Sequence, residues 1–456
     1  MQHMQLTEQH SGVNPNRSLL TPEELVKQLN GKWIEKNTAI LIVHGIGDQK
    51  PLESLDQFAR GFKAAMVIYG GHGINLHMSH QLVAKKSGDE SYYWFDNYIR
   101  ISLEGNDKYL DIYEYYWANR TENKVDIKRI FDWLRKVTSG AKKYYEQNKT
   151  LSTNMEDRSA FIDKEKGFNS WNYWFVIYFL GSLATILSLV MKMIFWLIKL
   201  IPVIGAATAD AIQSKLAESI TSTANILGDI TIYNEVNPRS ELYCIRKDIL
   251  NGAVKAIRFL VEPVDTSMEK TAYDRVVVAG HSLGSQISFD AINRLTHQIN
   301  LGELNGYNKQ GNRINSNGNE VLSDGKPIHI SEMMDRYFTF GSPLDKIAFF
   351  LREQCEDDQY LRIQMLQNFH CFKQRTWNTE AAKKVKLSTS IVRQFDHIPW
   401  VNYYHGRDYV SGSLDYYHPL TNVQCNFPDG VFGFTHSNYW YSEQFFGDVM
   451  VNVIGK

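Results

Sequence analysis

A strand-forming run, a tight glycine turn and a helix follow one another between residues 275 and 295. The run RVVVA is rich in β-branched residues, which favour strands, and the turn GHSLG (residues 280–284) comes directly after it. The next segment, SQISFDAINRL, has the apolar spacing of an amphipathic helix. An apolar strand that leads straight into a helix is typical of a parallel sheet covered by helices on both faces. The chain is therefore predicted to be an α/β protein.

The same alternation of strands and helices recurs along the chain. Further strands are predicted at residues 38–44, 336–340, 400–404 and 431–434, a hairpin around residues 105–107, and helices at residues 55–69 and 241–260. Because strands alternate with helices, we expect one mostly parallel sheet.

Composition divides the chain into four parts. Residues 1–20 are predicted to be a flexible tail, 21–118 and 229–456 the two parts of one core, and 119–228 a helical insertion between them. Hydrophobic residues make up 43% of the 456 residues and charged residues 22%, which provides a sizeable core and excludes a disordered chain.

Charge and cysteine content exclude further classes of protein. The 49 basic and 50 acidic side chains give a net charge of −1, whereas a nucleic-acid-binding protein usually has an evident basic surplus. The four cysteines lack CxxC spacing, so we expect buried thiols, with no zinc site, redox pair or cofactor. The polar N-terminus lacks the apolar core of a secretory signal peptide, so a cytoplasmic location is expected, with membrane association as an alternative.

Ser282 is the candidate nucleophile. A nucleophilic serine must lie on a sharp strand-to-helix turn to expose its oxygen, and small flanking residues are needed because side chains there would collide. The motif GxSxG at residues 280–284 stands between a predicted strand and a predicted helix, as this chemistry requires. The alternative is an ordinary serine at the start of a helix.

The segment HGIGDQ (residues 44–49) is the candidate oxyanion turn, because it follows the predicted strand AILIV. Acyl transfer needs backbone N–H groups directed at the developing oxyanion. We assign one donor to Ile46, with Gly47 as the rival, and the second to Leu283, directly after the nucleophile. His44 is expected to be structural, and an ordinary turn at the end of a strand is the alternative for the whole segment.

The catalytic base and acid should follow the serine, the acid first. His436 is the candidate base because it comes after the predicted strand at residues 431–434, and Asp408 is the candidate acid because it follows the strand-like run at 400–404. The acid would fix the imidazole tautomer and stabilise the imidazolium. The rivals are His370, His397, His405 and His418 for the base, and Asp345, Asp396 and Asp415 for the acid.

These motifs together resemble the α/β-hydrolase superfamily. The HGIGDQ segment is similar to that of a group of bacterial hydrolases carrying HGIG-x-Q, and WVNYYHGRDYV (residues 400–410) is similar to the acid-bearing loop of lipase-like members. The resemblance covers residues 37–116 and 229–456. It implies a serine esterase or lipase, in which Ser282 is acylated and water activated through His436 completes hydrolysis.

The insertion contains the most apolar part of the chain, residues 174–209. A single membrane crossing is excluded, because the oxyanion turn precedes this segment and the triad candidates follow it. We favour a helical cap or a hairpin seated at a membrane surface, while a buried or oligomer-interface helix pair and a two-span hairpin remain alternatives.

The leading functional hypothesis is therefore hydrolysis of carboxylic esters, in particular those of lipids or other apolar acyl groups. An acyltransferase or thioesterase with the same triad is one alternative. A membrane-associated scaffold without catalysis is another. The sequence does not indicate which oligomeric state the protein adopts.

Overall fold

The computed structural model describes most of the two predicted core parts. The described ranges are residues 14–46, 49–71, 74–82, 97–121, 229–261, 273–304, 330–350, 359–375, 391–408, 410–427 and 435–454, together with isolated positions and residue pairs between them. Most of the predicted insertion, including the apolar segment 174–209, lies outside the described residues, as does the predicted strand at 431–434.

Nine strands of the described residues form a single sheet at the centre of the fold. In chain order the strands are β1 (Asn16–Ser18), β2 (Thr38–Val43), β3 (Leu76–Leu82), β4 (Asn97–Leu103), β5 (Tyr109–Tyr115), β6 (Arg275–His281), β7 (Met334–Phe340), β8 (Trp400–His405) and β9 (Thr421–Cys425). Their spatial order is β1-β9-β8-β7-β6-β2-β5-β4-β3, so β6 is the central strand. In the part of the chain that the structure describes, three two-residue ladders lie outside the sheet: Ile162–Asp163 with Gly167–Phe168, Gly306–Tyr307 with Arg313–Ile314, and Gln374–Arg375 with Tyr417–His418.

In the spatial order of the sheet, all six pairings between β1 at one edge and β5 are parallel. Strand β4 is antiparallel to both of its neighbours, β5 and β3. The predicted hairpin is confirmed: β4 and β5 pair in antiparallel fashion on either side of a turn in which Gly105 has a φ of 77°. Strand β3 was not predicted, because its sequence LHMSHQL has only one buried residue, Leu76, and resembles a polar loop.

Helices cover both faces of the sheet. They are α1 (Pro22–Leu29), α2 (Glu53–Tyr69), α3 (Glu241–Val261), α4 (Leu283–Asn300), α5 (Ile330–Met333), α6 (Leu344–Phe350), α7 (Tyr360–Phe369) and α8 (Glu443–Ile454), with 3₁₀ turns at Ala118–Arg120 and Thr435–Tyr441. Helices α1, α2 and α8 pack on one face, and α3, α4 and α6 on the other.

Successive side chains of the central strands alternate between these two layers. In β2, Leu41 and Val43 belong to the core under α3 and α4, while Ile40 and Ile42 belong to the core under α2 and α8. This double burial explains why the strand is apolar at every position from Ala39 to Val43. The prediction of a mostly parallel sheet flanked by helices is confirmed.

The predicted flexible tail is wrong for residues 14–20. Strand β1 pairs in parallel with β9, and the side-chain amide of Asn14 donates to the carbonyl groups of Leu414 and Tyr417 at 2.8 and 2.7 Å. The guanidinium of Arg17 makes two hydrogen bonds of 2.7 Å to the buried carboxylate of Asp448. The polar side chains of this segment bind polar groups some 400 residues away in the chain. Because these partners are so distant, the local sequence resembles that of a flexible tail.

No helix among the described residues is both long and apolar enough to cross a membrane.

Arg17→Ala should lower the free energy of unfolding by about 2 kcal/mol, because it leaves the carboxylate of Asp448 buried without its cation. Urea unfolding measures the change. Arg60→Ala is the matched control, since Arg60 forms an exposed i,i+4 pair with Asp56, and its effect should stay below about 0.5 kcal/mol. Equal effects of the two substitutions would contradict an anchoring role for the N-terminal strand.

Candidate active site

Ser282 lies at the turn between β6 and α4, at the centre of the sheet. Its backbone has φ 52° and ψ −127°, a conformation that non-glycine residues rarely adopt. The N–H of Ser282 donates to the carbonyl group of Phe340, at the end of β7, at 3.0 Å, and its own carbonyl group accepts from the N–H of Ser285 at 3.0 Å. The neighbouring strand and the first helical turn therefore hold the serine in this strained conformation.

Two glycines make the close packing of this turn sterically feasible. A Cβ atom at Gly45 would lie 2.6 Å from Cβ of Ser282, and one at Gly284 would collide with the carbonyl group of Val43. The first helical turn of α4 thus packs directly against the end of β2. The turns after β2 and β6 are in contact, so the nucleophile candidate and the oxyanion-turn candidate lie side by side.

Asp408 and His436 are brought together by a hydrogen bond of 2.9 Å between Oδ2 and Nδ1. The carboxylate also accepts from the hydroxyl of Tyr439 at 3.2 Å and from the N–H of Val410 at 2.9 Å. Burial by itself would raise the pKa of Asp408, but the hydrogen bond and charge of His436, with further donors, hold it well below its usual range. The acid is therefore an ionised acceptor for the imidazole.

The imidazole of His436 lies beside the serine turn. Its Cε1 is 2.9 Å from the position that a Cβ atom at Gly341 would occupy, and its ring stacks on that of His281 with centroids 5.0 Å apart. Nε2 of His436 and Oγ of Ser282 are both buried and lack a hydrogen-bond partner among the described atoms. The two groups are thus not hydrogen-bonded to each other in this conformation, and such bonds commonly tighten only when substrate is bound.

The rival histidines have other positions or other contacts. His370 directly follows α7, and His397 precedes β8, at the opposite end of that strand from the serine turn. The ring of His405 accepts from the N–H of Arg407 at 3.1 Å and stacks on Phe427, and His418 belongs to a two-residue ladder.

The rival acids have other contacts. Asp345 accepts from the N–H groups of Asp415 and Tyr416 at 2.8 and 3.3 Å, and Asp415 accepts from the hydroxyl of Ser413 at 2.9 Å. The carbonyl group of Asp396 accepts from the ammonium of Lys373 at 2.7 Å. Asp345 thus supports the loop that carries Asp408.

The two oxyanion donors assigned from sequence lie on the two touching turns. Leu283 is the first residue of α4, where a backbone N–H has no acceptor within the helix. Ile46 is partly buried against the core, and its rival Gly47 lies outside the described residues. His44 is completely buried between Gly45 and Trp117, as expected for a structural histidine.

Sequence reasoning did not identify three residues around the site, Tyr439, Lys346 and His281. Tyr439 donates to Asp408, and Lys346 donates from Nζ to the carbonyl group of Ser411, in the same loop, at 2.8 Å. Burial lowers the pKa of Lys346 to about 8 although nearby carboxylates oppose the shift. Neither residue is marked by a motif, whereas His281 occupies the variable second position of GxSxG.

Three of the four cysteines, Cys355, Cys371 and Cys425, are buried free thiols, but the prediction of burial is wrong for Cys244, which is exposed on α3. Within the described ranges no cluster of three or more His, Cys, Asp or Glu side chains is arranged to hold a metal ion.

No protein-family model matches the chain, and no curated protein or solved structure shows significant similarity to it. The functional interpretation therefore depends on the geometry and chemistry of these residues.

Acid should destabilise the protein through its buried neutral histidines. Burial, followed by the charge of His436, lowers the pKa of His281 to about 3, and burial lowers that of His44 to about 4. The unfolded state binds these protons below about pH 6.5 while the folded state does not, so stability present above that pH is lost as the pH falls. His281→Gln removes one such group.

Urea unfolding at pH 6.5 and pH 5 tests this. Between pH 6.5 and pH 5, the free energy of unfolding should fall by about 1.5 kcal/mol more in the wild type than in His281→Gln. Other titrating groups are common to both proteins and cancel in the difference. Parallel pH profiles would contradict a neutral, buried His281.

Proposed function

We propose that the protein is a serine hydrolase of the α/β-hydrolase type that cleaves carboxylic esters with Ser282, His436 and Asp408. The observation that carries the proposal is the pairing of a buried, ionised Asp408 with His436 beside a serine at a strained strand-to-helix turn. The free Nε2 of that imidazole and the free Oγ of that serine are the two atoms that general-base activation requires.

The register of the sheet supports the α/β-hydrolase assignment. Val43 at the end of β2 pairs with Gly280 in β6. Phe340 at the end of β7 pairs with His281 in β6 and with Tyr403 in β8. The four strands therefore end at the same edge of the sheet. Ligands of open α/β sheets bind at the carboxyl ends of the strands. The serine, acid and histidine also occur in the chain order that this superfamily uses.

The mechanism follows from these positions. Nε2 of His436 takes the hydroxyl proton of Ser282 as Oγ bonds to the ester carbonyl carbon, and backbone N–H groups of Ile46 and Leu283 stabilise the oxyanion. The tetrahedral intermediate then collapses: the bond to the alcohol oxygen breaks, this oxygen takes the proton from His436, and an acyl-serine remains. Water then gives a proton to His436 and attacks the acyl carbon, and return of the proton to Oγ releases the acid. Asp408 stabilises the imidazolium in both steps.

We propose that the acyl part of the ester substrate is apolar. The imidazole of His436 stacks on His281, and Trp440 packs against His281 and Phe340 with centroids 5.1 and 5.2 Å away. Tyr441, next in the chain, is 73% exposed. Together with the apolar sequence at residues 174–209, this favours a lipid or another apolar ester, met at a cytoplasmic membrane surface to which that segment binds.

Ser282→Ala should abolish hydrolysis of p-nitrophenyl esters and labelling by a fluorophosphonate probe, because it removes the nucleophile. Asp408→Asn should lower kcat by about 10⁴-fold, because the imidazole loses its ionised partner. Ser79→Ala, at an exposed serine of the edge strand β3, is the matched control and should retain both activities.

Full esterase activity in Ser282→Ala, or a wild type that the probe does not label, would refute the hydrolase proposal. Failed labelling with vesicle binding that persists in Ser282→Ala would favour a scaffold. Rate acceleration by added alcohols, with ester exchange instead of acid release, would favour an acyltransferase.

Chain-length dependence tests the apolar substrate. Because each buried methylene contributes about 0.8 kcal/mol, kcat/KM for p-nitrophenyl dodecanoate should exceed that for the acetate by about tenfold or more. Assays with and without phospholipid vesicles measure the effect of an interface, and activity on the dodecanoate should rise with vesicles. Equal kcat/KM values for both esters would contradict an apolar acyl site.

A further inference from the structure

The imidazole of His44 makes two hydrogen bonds of opposite character. Nε2 lies 3.0 Å from the backbone nitrogen of Trp117, and Nδ1 lies 2.8 Å from the carbonyl oxygen of Gly45. A backbone N–H is only a donor and a carbonyl oxygen is only an acceptor. Nε2 must therefore carry the lone pair and Nδ1 the proton, so these two contacts determine both the tautomer and the neutral charge of the ring.

Other contacts hold this ring in place. It stacks on the indole of Trp117 with an interplanar angle of 4° and centroids 5.0 Å apart, and the indole N–H donates to the carbonyl group of His44 at 3.0 Å. Burial lowers the pKa of His44 to about 4, so the neutral ring persists at neutral pH. Trp117, the second residue after β5, thereby fixes the position of His44, the first residue after β2.

The bond to Gly45 also orients the next N–H group. The carbonyl of Gly45 and the N–H of Ile46 belong to the same planar peptide unit, where in the trans form they point in opposite directions. A hydrogen bond that fixes the direction of the Gly45 carbonyl therefore also fixes the direction of the Ile46 N–H. This unit starts at a residue packed so closely on Ser282 that a Cβ atom would lie 2.6 Å from the serine Cβ.

We propose that His44 is a positioning residue for the oxyanion site: its Nδ1–H holds the carbonyl of Gly45, and the N–H of Ile46 is thereby directed at the oxygen of an acyl group on Ser282. The inference rests on the proposed hydrolase function and adds a specific task for a histidine outside the triad. Its importance is kinetic, because a donor oriented before the reaction begins requires no reorganisation as negative charge develops.

Two amide substitutions separate the two hydrogen bonds. The side-chain nitrogen of Asn in His44→Asn reaches the place of Nδ1 and keeps the donor to Gly45, but the acceptor for Trp117 is lost. The longer side chain of Gln in His44→Gln reaches the place of Nε2 and keeps that acceptor, but the donor to Gly45 is lost. Both substitutions are uncharged and each removes one buried hydrogen bond.

His44→Gln should lower kcat and the rate of fluorophosphonate labelling of Ser282 by about 100-fold, with little change in KM, because the lost interaction acts on the transition state. His44→Asn should lose less than about tenfold in both rates. Tyr115→Phe is the stability control: it removes a buried hydrogen bond of 2.7 Å to the carbonyl group of Ile249 without touching Gly45. It should lower Tm and leave labelling unchanged.

Equal losses of rate in the Asn and Gln variants, or wild-type rates in His44→Gln, would overturn the proposal. If His44→Gln has no cooperative unfolding transition, His44→Asn decides alone: labelling within about tenfold of wild type supports the proposal, and labelling below about one-hundredth overturns it. A wild type that neither labels nor hydrolyses esters overturns the hydrolase function itself, and that failure is visible before any variant is compared.

Discussion

The close approach of main chain around Ser282 is the constraint on which the rest of the site depends. The serine has a positive φ, its N–H is bound by the end of β7, and the turn after β2 lies against its Cβ. Such packing requires parallel neighbours that end in register, since only then do the turns after β2, β6 and β7 meet at one edge. The glycines at 45 and 284 follow from this geometry, because any side chain would collide.

Burial favours the uncharged form of every ionisable group at this edge, and the groups differ in what opposes it. Asp408 stays ionised because N–H and O–H donors and an imidazole replace the water that it loses. His281 and His44 stay neutral because nothing comparable stabilises their charged forms. A neutral ring stacked on His436 adds no positive charge beside an imidazole that becomes positive in the proposed mechanism. In the proposed mechanism the imidazolium of His436 therefore forms against the buried carboxylate of Asp408.

The catalytic candidates depend on a second layer of polar contacts. Asp345 and Lys346 on α6 bind the backbone of the loop after Asp408 through Asp415 and Ser411. Tyr439 joins that loop to the 3₁₀ turn of the histidine. On the other side, His44 links the oxyanion turn to the end of β5. Asp408 and His44 are thus each held by contacts from more than one element of the fold, and the proposed mechanism requires such fixed orientation.

The sequence by itself determined the strands and turns around Ser282, because a doubly buried strand, a glycine turn and an amphipathic helix are local patterns. It also ranked Asp408 and His436 by chain order. Only the tertiary structure decided that this pair is joined by a hydrogen bond, because the orientation of a side chain depends on packing. It also decided that the polar segment 14–20 contains an edge strand and that His44 is a buried link, since their partners lie far away in the chain.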